Sequence, residues 1–171
     1  MKKIFCLAAG VMIASCLVLG GCQKAGEKAA EKAIEAGLAK EGVKADVEAS
    51  GEKITIQGKD GKTEFTGGKG AKVPDNFPKD VYVYEGASIN SALTVPEGFN
   101  LTMETADPAQ TVLAAVKKKM IGQGWKEEMT MNQGEQSMAG YKKGQRMAMF
   151  NITAEQKLTR IALTVTEEKG K

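Results

Sequence analysis

The 171-residue sequence contains no histidine, which removes the commonest general base and the commonest metal ligand together. Aromatic residues make up 5% and proline occurs four times, so any core must be aliphatic and Met-filled. Cysteine is confined to Cys6, Cys16 and Cys22. Against these absences stand 42% hydrophobic residues, 26% charged residues and 20 glycines. That balance excludes a wholly disordered chain and suits one or two small folded units with frequent turns.

Long hydrophobic runs are lacking apart from one. Lys2 and Lys3 precede an uncharged stretch from Ile4 to Leu19, interrupted by Gly10 and Ser15. Its 16 residues fall short of the roughly 20 needed to span a bilayer, whereas a charged start and a short apolar run are the layout of a secretory signal peptide. Directly after the run, Leu19, Gly20, Gly21 and Cys22 resemble the lipobox of bacterial lipoproteins, in which a peptidase cuts before a Cys that carries diacylglycerol. The resemblance implies a signal peptide over 1–21 and a mature chain beginning at lipidated Cys22. Ile13, Ala14, Ser15 and Cys16 form a second such box, but cleavage there would leave Leu17 to Leu19 on the mature protein. Polar Gln23 and Lys24 follow Cys22 and favour the later site.

Cleavage before Cys22 removes two Lys and no acid, so 22 basic residues face 21 acidic ones and the net charge falls to +1. A nucleic-acid partner then has no electrostatic motive. With Cys6 and Cys16 gone, no intramolecular disulfide is possible, and no cofactor is expected beyond the covalent lipid. Two or more acyl chains hold a protein stably on a membrane. In lipoproteins of this kind Asp after the Cys retains the protein at the inner membrane; Gln23 stands here, which implies the outer membrane, facing the periplasm.

The organisation of the rest follows from periodicity. Residues 22–42 form the anchor and a spacer in which Ala30, Ile34 and Leu38 recur at fourfold spacing, the pattern of a short amphipathic helix. Over 43–72 the period changes to two: Val43, Ala45 and Val47, then Ile54 and Ile56, then Thr63 and Phe65 after Lys59, Asp60 and Gly61. This predicts a three-stranded meander with a hairpin turn. Gly67 to Lys72 lacks phosphate-loop spacing and reads as a flexible joint.

Residues 73–171 read as a second unit. Val81 to Tyr84 suggest a brief strand, Ile89 to Val95 and Phe99 to Thr105 two more, and Asp107 an N-cap with Pro108 at the first helical position and Gln110 completing a capping box. Val112, Leu113, Val116 and Met120 form an apolar stripe, and Gly122 and Gly124 close the helix. Lys117, Lys118 and Lys119 read as a solvated face. Four strands follow: 125–131, 136–142, 146–154 and 158–166. Ala148, Phe150 and Ile152, with Ile161, Leu163 and Val165, are expected to face the helix. The fold class is therefore α+β, with a short N-terminal helix and β-meander followed by an antiparallel sheet bearing one helix, in the order β-β-β-α-β-β-β-β. The segment from Val81 through Gly86 and Ala87 to Gly124 and Trp125 resembles small uncharacterised bacterial lipoproteins, a likeness that implies an architecture and no reaction.

Catalysis lacks parts. Ser50, Ser88, Ser91 and Ser137 have no recognisable base nearby, and the protein is read as not an enzyme. The sequence instead favours a lipid-anchored binding or interaction module whose sheet face, or exposed Met and Tyr residues, engages an envelope protein or other periplasmic component. An alternative lies in Met129 with Met131 and Met147 with Met149, two Met-x-Met pairs that in strands project thioethers from one face. Thioethers are soft ligands suited to Cu(I) or Ag(I). Trp125, expected on the face of Met129 and Met131, gives a resemblance to periplasmic copper chaperones, although their His is absent here.

Overall fold

The structure, a computed structural model, describes residues 44–47, 52–58 and 61–167. The lipobox residues Leu19, Gly20, Gly21 and Cys22, and the amphipathic stretch before residue 43, lie outside the described residues.

Alternating apolar and polar residues form β1 (Lys44–Val47), β2 (Lys53–Gly58), β3 (Gly61–Gly67), β4 (Ser88–Val95) and β5 (Gly98–Thr105). A helix, α1 (Ala109–Gly122), then leads to β6 (Lys126–Gln133), β7 (Gln136–Lys143), β8 (Arg146–Ala154) and β9 (Thr159–Glu167). The described strands make one antiparallel sheet in the order β1-β2-β3-β4-β5-β9-β8-β7-β6. α1 carries the chain from the middle of the sheet to its far edge. From there β6 to β9 meander back until β9 pairs with β5. The expected meander is present as β1 to β3, and it shares a sheet with the later strands because β3 pairs with β4 from Glu64↔Thr94 to Gly67↔Ser91.

α1 lies over β6, β7 and β8. Its stripe of Val112, Leu113, Val116 and Met120 is buried as expected, against Ala148, Phe150 and Ile152 of β8 and Ile161, Leu163 and Val165 of β9. Tyr141 of β7 stands edge-on to Phe150 with ring centroids 5.9 Å apart. The helix ends in a Schellman arrangement: the Trp125 N–H donates to the Met120 carbonyl at 3.0 Å and the Gly124 N–H to that of Ile121 at 2.9 Å. Gly124 adopts φ +81°, where a side chain would be strained.

Two local expectations fail for identifiable reasons. Asp107 does not cap α1; Pro108 occupies the N-cap and no side chain bonds the first turn. The Asp107 carboxylate is taken instead by the Tyr84 hydroxyl, which donates to it at 2.7 Å. Val81 to Tyr84 is not a strand. The Val81 N–H donates to the Pro78 carbonyl and that of Tyr82 to the Met120 sulfur, so neither is free for a ladder. Val81, Tyr82 and Tyr84 are all buried, which places a pinned loop between helix and sheet where the first of three strands preceding the helix is expected.

Candidate functional site

On the helix-bearing face the apolar surface runs out towards β2. From β9 outward, Leu163 pairs with Leu101, Leu101 with Ala92, and Ala92 with Thr66; beyond lie Glu64 and Lys53. Among the described residues no α-helix covers this end. Its roof there is the loop of residues 71–80, held off the sheet where Phe77 meets Phe99 edge-on, centroids 5.2 Å apart. The small floor residues Ala92, Thr94 and Thr66 leave room beneath the loop. The result is a cleft of about 1050 Å³, at the upper end of the range of ligand pockets.

The cleft is amphipathic. Val73, Pro74, Val95, Phe99 and Val165 supply apolar wall, while Lys53, Lys62, Lys72 and Arg146 stand at its border with Glu64, Glu97 and Glu167. Lys62 Nζ lies 2.6 Å from one Glu64 oxygen and Lys53 Nζ 3.5 Å from the other. The Lys62 hydrogen bond holds the Glu64 carboxyl below its ordinary range despite partial desolvation, so this corner stays ionised.

One residue fastens the loop. Asp80 accepts a bidentate pair from Arg146, Nη1 at 2.8 Å and Nη2 at 2.6 Å, and a third bond from Lys143 Nζ at 2.8 Å. Lys143 also donates to the Gln123 carbonyl at the end of α1, 2.8 Å away. The Trp125 indole N–H donates to the Asp80 carbonyl, and the Arg146 guanidinium lies 5.1 Å from the Trp125 ring. Loop, helix end and the β7–β8 turn thus meet on one carboxylate. The Arg146 hydrogen bonds, followed by those of Lys143, hold Asp80 well below the usual carboxylate range. None of Asp80, Lys143 and Arg146 was singled out in the sequence, because the partners lie 63 and 66 residues apart.

The opposite sheet face carries the methionines. Met129 pairs with Gly140 and Met131 with Met138; Gly140 pairs with Met149 and Lys142 with Met147. All four expected methionines therefore share one face, and Met138 joins them. Trp125 does not. A bulge lets Glu127 pair with Tyr141 while Met129 pairs with Gly140, so Glu128 is an extra residue and reverses the alternation. Trp125 is buried on the helix side, and its likeness to a Trp lying over a Met-bound metal is lost. The expectation of exposed Tyr also fails: Tyr82, Tyr84 and Tyr141 are all buried. Lys117 and Lys119 are exposed as expected, and each has an acidic partner, Glu127 and Glu85. Ser50 lies outside the described residues, and Ser137 is buried.

Residues 87–160 match a START domain-like family. The START-like segment is somewhat under half of the chain. It contains α1, strands β4 to β8 and the cleft residues Ala92, Thr94 and Phe99, but neither the roofing loop nor β1 to β3. No curated protein and no solved structure matches the chain. Among the described residues no group of three His, Cys, Asp or Glu side chains is placed to hold a metal, and no helix is long and apolar enough to cross a membrane.

Proposed function

We propose that this protein is a non-catalytic, lipid-anchored binding module of the cell envelope, and that its cleft takes a small amphipathic ligand. The observation that carries the reading is the cleft itself. Its volume of about 1050 Å³ exceeds any packing defect of a closed core, and apolar wall beside fixed charge suits a molecule with an acyl or ring portion and a polar head. The START-like resemblance points the same way, to a ligand- or lipid-binding module. A chain without His has few means of general base catalysis near neutral pH, which supports binding over turnover.

The anchor part rests on the lipobox and the charged, short apolar run before Cys22. Acylated Cys22 and Gln23 after it favour the periplasmic face of the outer membrane, with the membrane and an envelope component as partners.

Two measurements test the two parts separately. Labelled palmitate is expected to enter the native protein and not Cys22→Ala; incorporation into the variant overturns the anchor. A fluorescent lysophospholipid is expected to bind the full-length protein saturably and to lose affinity in Thr94→Trp, whose indole would fill the floor of the cleft. Unaltered binding by a folded Thr94→Trp protein overturns the site.

A further inference from the structure

Two of the described methionines, Met103 and Met120, are fully buried and fill the core. The other five, at 129, 131, 138, 147 and 149, stand on the face away from α1, where none is buried and Met131 keeps 56% of its surface exposed. Gly140 lies among them in the interior of β7, where glycine weakens a strand. Its reason is steric. A Cβ there would fall 2.9 Å from Met129 Cγ, 3.3 Å from Met149 Cε and 3.6 Å from Met149 Sδ, so two side chains from flanking strands converge over the gap that Gly140 leaves. Met138 stands two residues along β7 on the same face and pairs directly with Met131. Four methionines on three adjacent strands thereby share one patch: Met129 and Met149 flank Gly140, and Met131 and Met138 pair two residues further along, with neighbouring strands about 5 Å apart.

We propose that Met129, Met131, Met138 and Met149 form a site for a soft monovalent cation, Cu(I) or Ag(I). Thioethers are neutral and polarisable, and they select such ions over Zn(II) or Mg(II), which want imidazole, thiolate or oxygen. Val or Ile would cover the same sheet surface with better β-propensity, so surface coverage alone does not account for four Met at these positions. The site lies on the opposite side of the sheet from the cleft and stands or falls independently of it.

The test uses the full-length protein in detergent, with free thiols first blocked by N-ethylmaleimide and with 13C-labelled Met methyl groups. On titration with Ag(I), the methyl signals of the four residues are expected to shift and saturate at equimolar metal, while Met103 and Met120 stay in place. Replacing Met129 and Met149 together by Leu, which keeps volume and apolarity, is expected to weaken binding by about tenfold or more; Met103→Leu, in the core, leaves it unchanged. Gly140→Ala is a second probe, since its methyl displaces Met129 without removing any sulfur. The proposal is overturned if the four signals do not move, if Zn(II) moves them as strongly, or if the double Leu variant binds Ag(I) as tightly as the native protein.

Discussion

The two ends of the sheet's helix-bearing face are made differently. Under α1, strands β7 to β9 present Tyr141, Phe150, Ile152, Ile161 and Leu163, all effectively without exposure, and the space is closed by the helix stripe. Towards β2 and β3 the same face carries Thr66, Glu64 and Lys53, and the cover is a loop. Antiparallel strand pairing continues through both ends. What separates a dry core from an open cleft is therefore the size and polarity of the side chains and the identity of the lid, which is why binding is placed at one end and stability at the other.

The sharpest way to break this contrast is to remove one aromatic ring from each end. Phe150→Ala is expected to cost about 3 to 5 kcal/mol, because a fully buried ring leaves a cavity that its neighbours cannot fill. Phe99→Ala, at the cleft end of the same face and only partly buried, is expected to cost under about 2 kcal/mol. Denaturation midpoints decide; equal losses would mean that the cleft end is as well packed as the other.

Much of this contrast was legible in the residue pattern. The helix stripe from Val112 to Met120 and the alternation in β8 and β9 are long, strong periodic signals, and each emerged on the expected face. The cleft was not legible, because nothing in Pro74 to Pro78 says that the loop folds back over Thr94 and not out to solvent. The Asp80 junction depends on residues more than sixty positions away. The bulge at Glu128 inserts a single residue into a polar stretch, and a run of Lys126, Glu127 and Glu128 has no alternation whose interruption could be seen. For Met138 the alternation of β7 gives only a shared face with Gly140; the register of the β6–β7 hairpin, which pairs it with Met131, brings it to the methionine pairs.

Asp80 joins the two ends, and its removal should loosen the lid while leaving the core. Asp80→Asn is expected to lower stability by about 1 to 2 kcal/mol at neutral pH, the range for charged hydrogen bonds that remain partly solvated. The pH dependence has a definite sign. Because the folded carboxyl titrates below its ordinary value of 3.8, the unfolded chain binds more protons near that pH. The stabilisation is complete above it and is lost as pH falls towards the folded value. The gap in urea midpoint between native protein and variant should therefore be narrower at pH 3 than at pH 7; a constant gap would remove Asp80 ionisation from the account.

The smallest effect is expected where the loop rejoins α1. Tyr84 donates to Asp107, and Tyr84→Phe should cost about 1 kcal/mol, a single hydrogen bond to a charged group with water still able to reach the carboxylate. Its spectroscopic signature is larger than its energy. The bond to Asp107, with burial added, pushes the Tyr84 phenol up to about 12, while Tyr141 reaches about 12 chiefly through burial beneath α1 and secondarily through the Glu127 charge. These raised values stabilise the fold fully below the ordinary phenol value of 10.0, and the stabilisation declines as pH rises from there towards 12. Phenolate absorbance in the folded protein should thus show two late-titrating tyrosines, one at the loop anchor and one in the core. In Tyr84→Phe a single late titration should remain, and it should be that of Tyr141, since its cause is burial under a helix that the variant leaves in place.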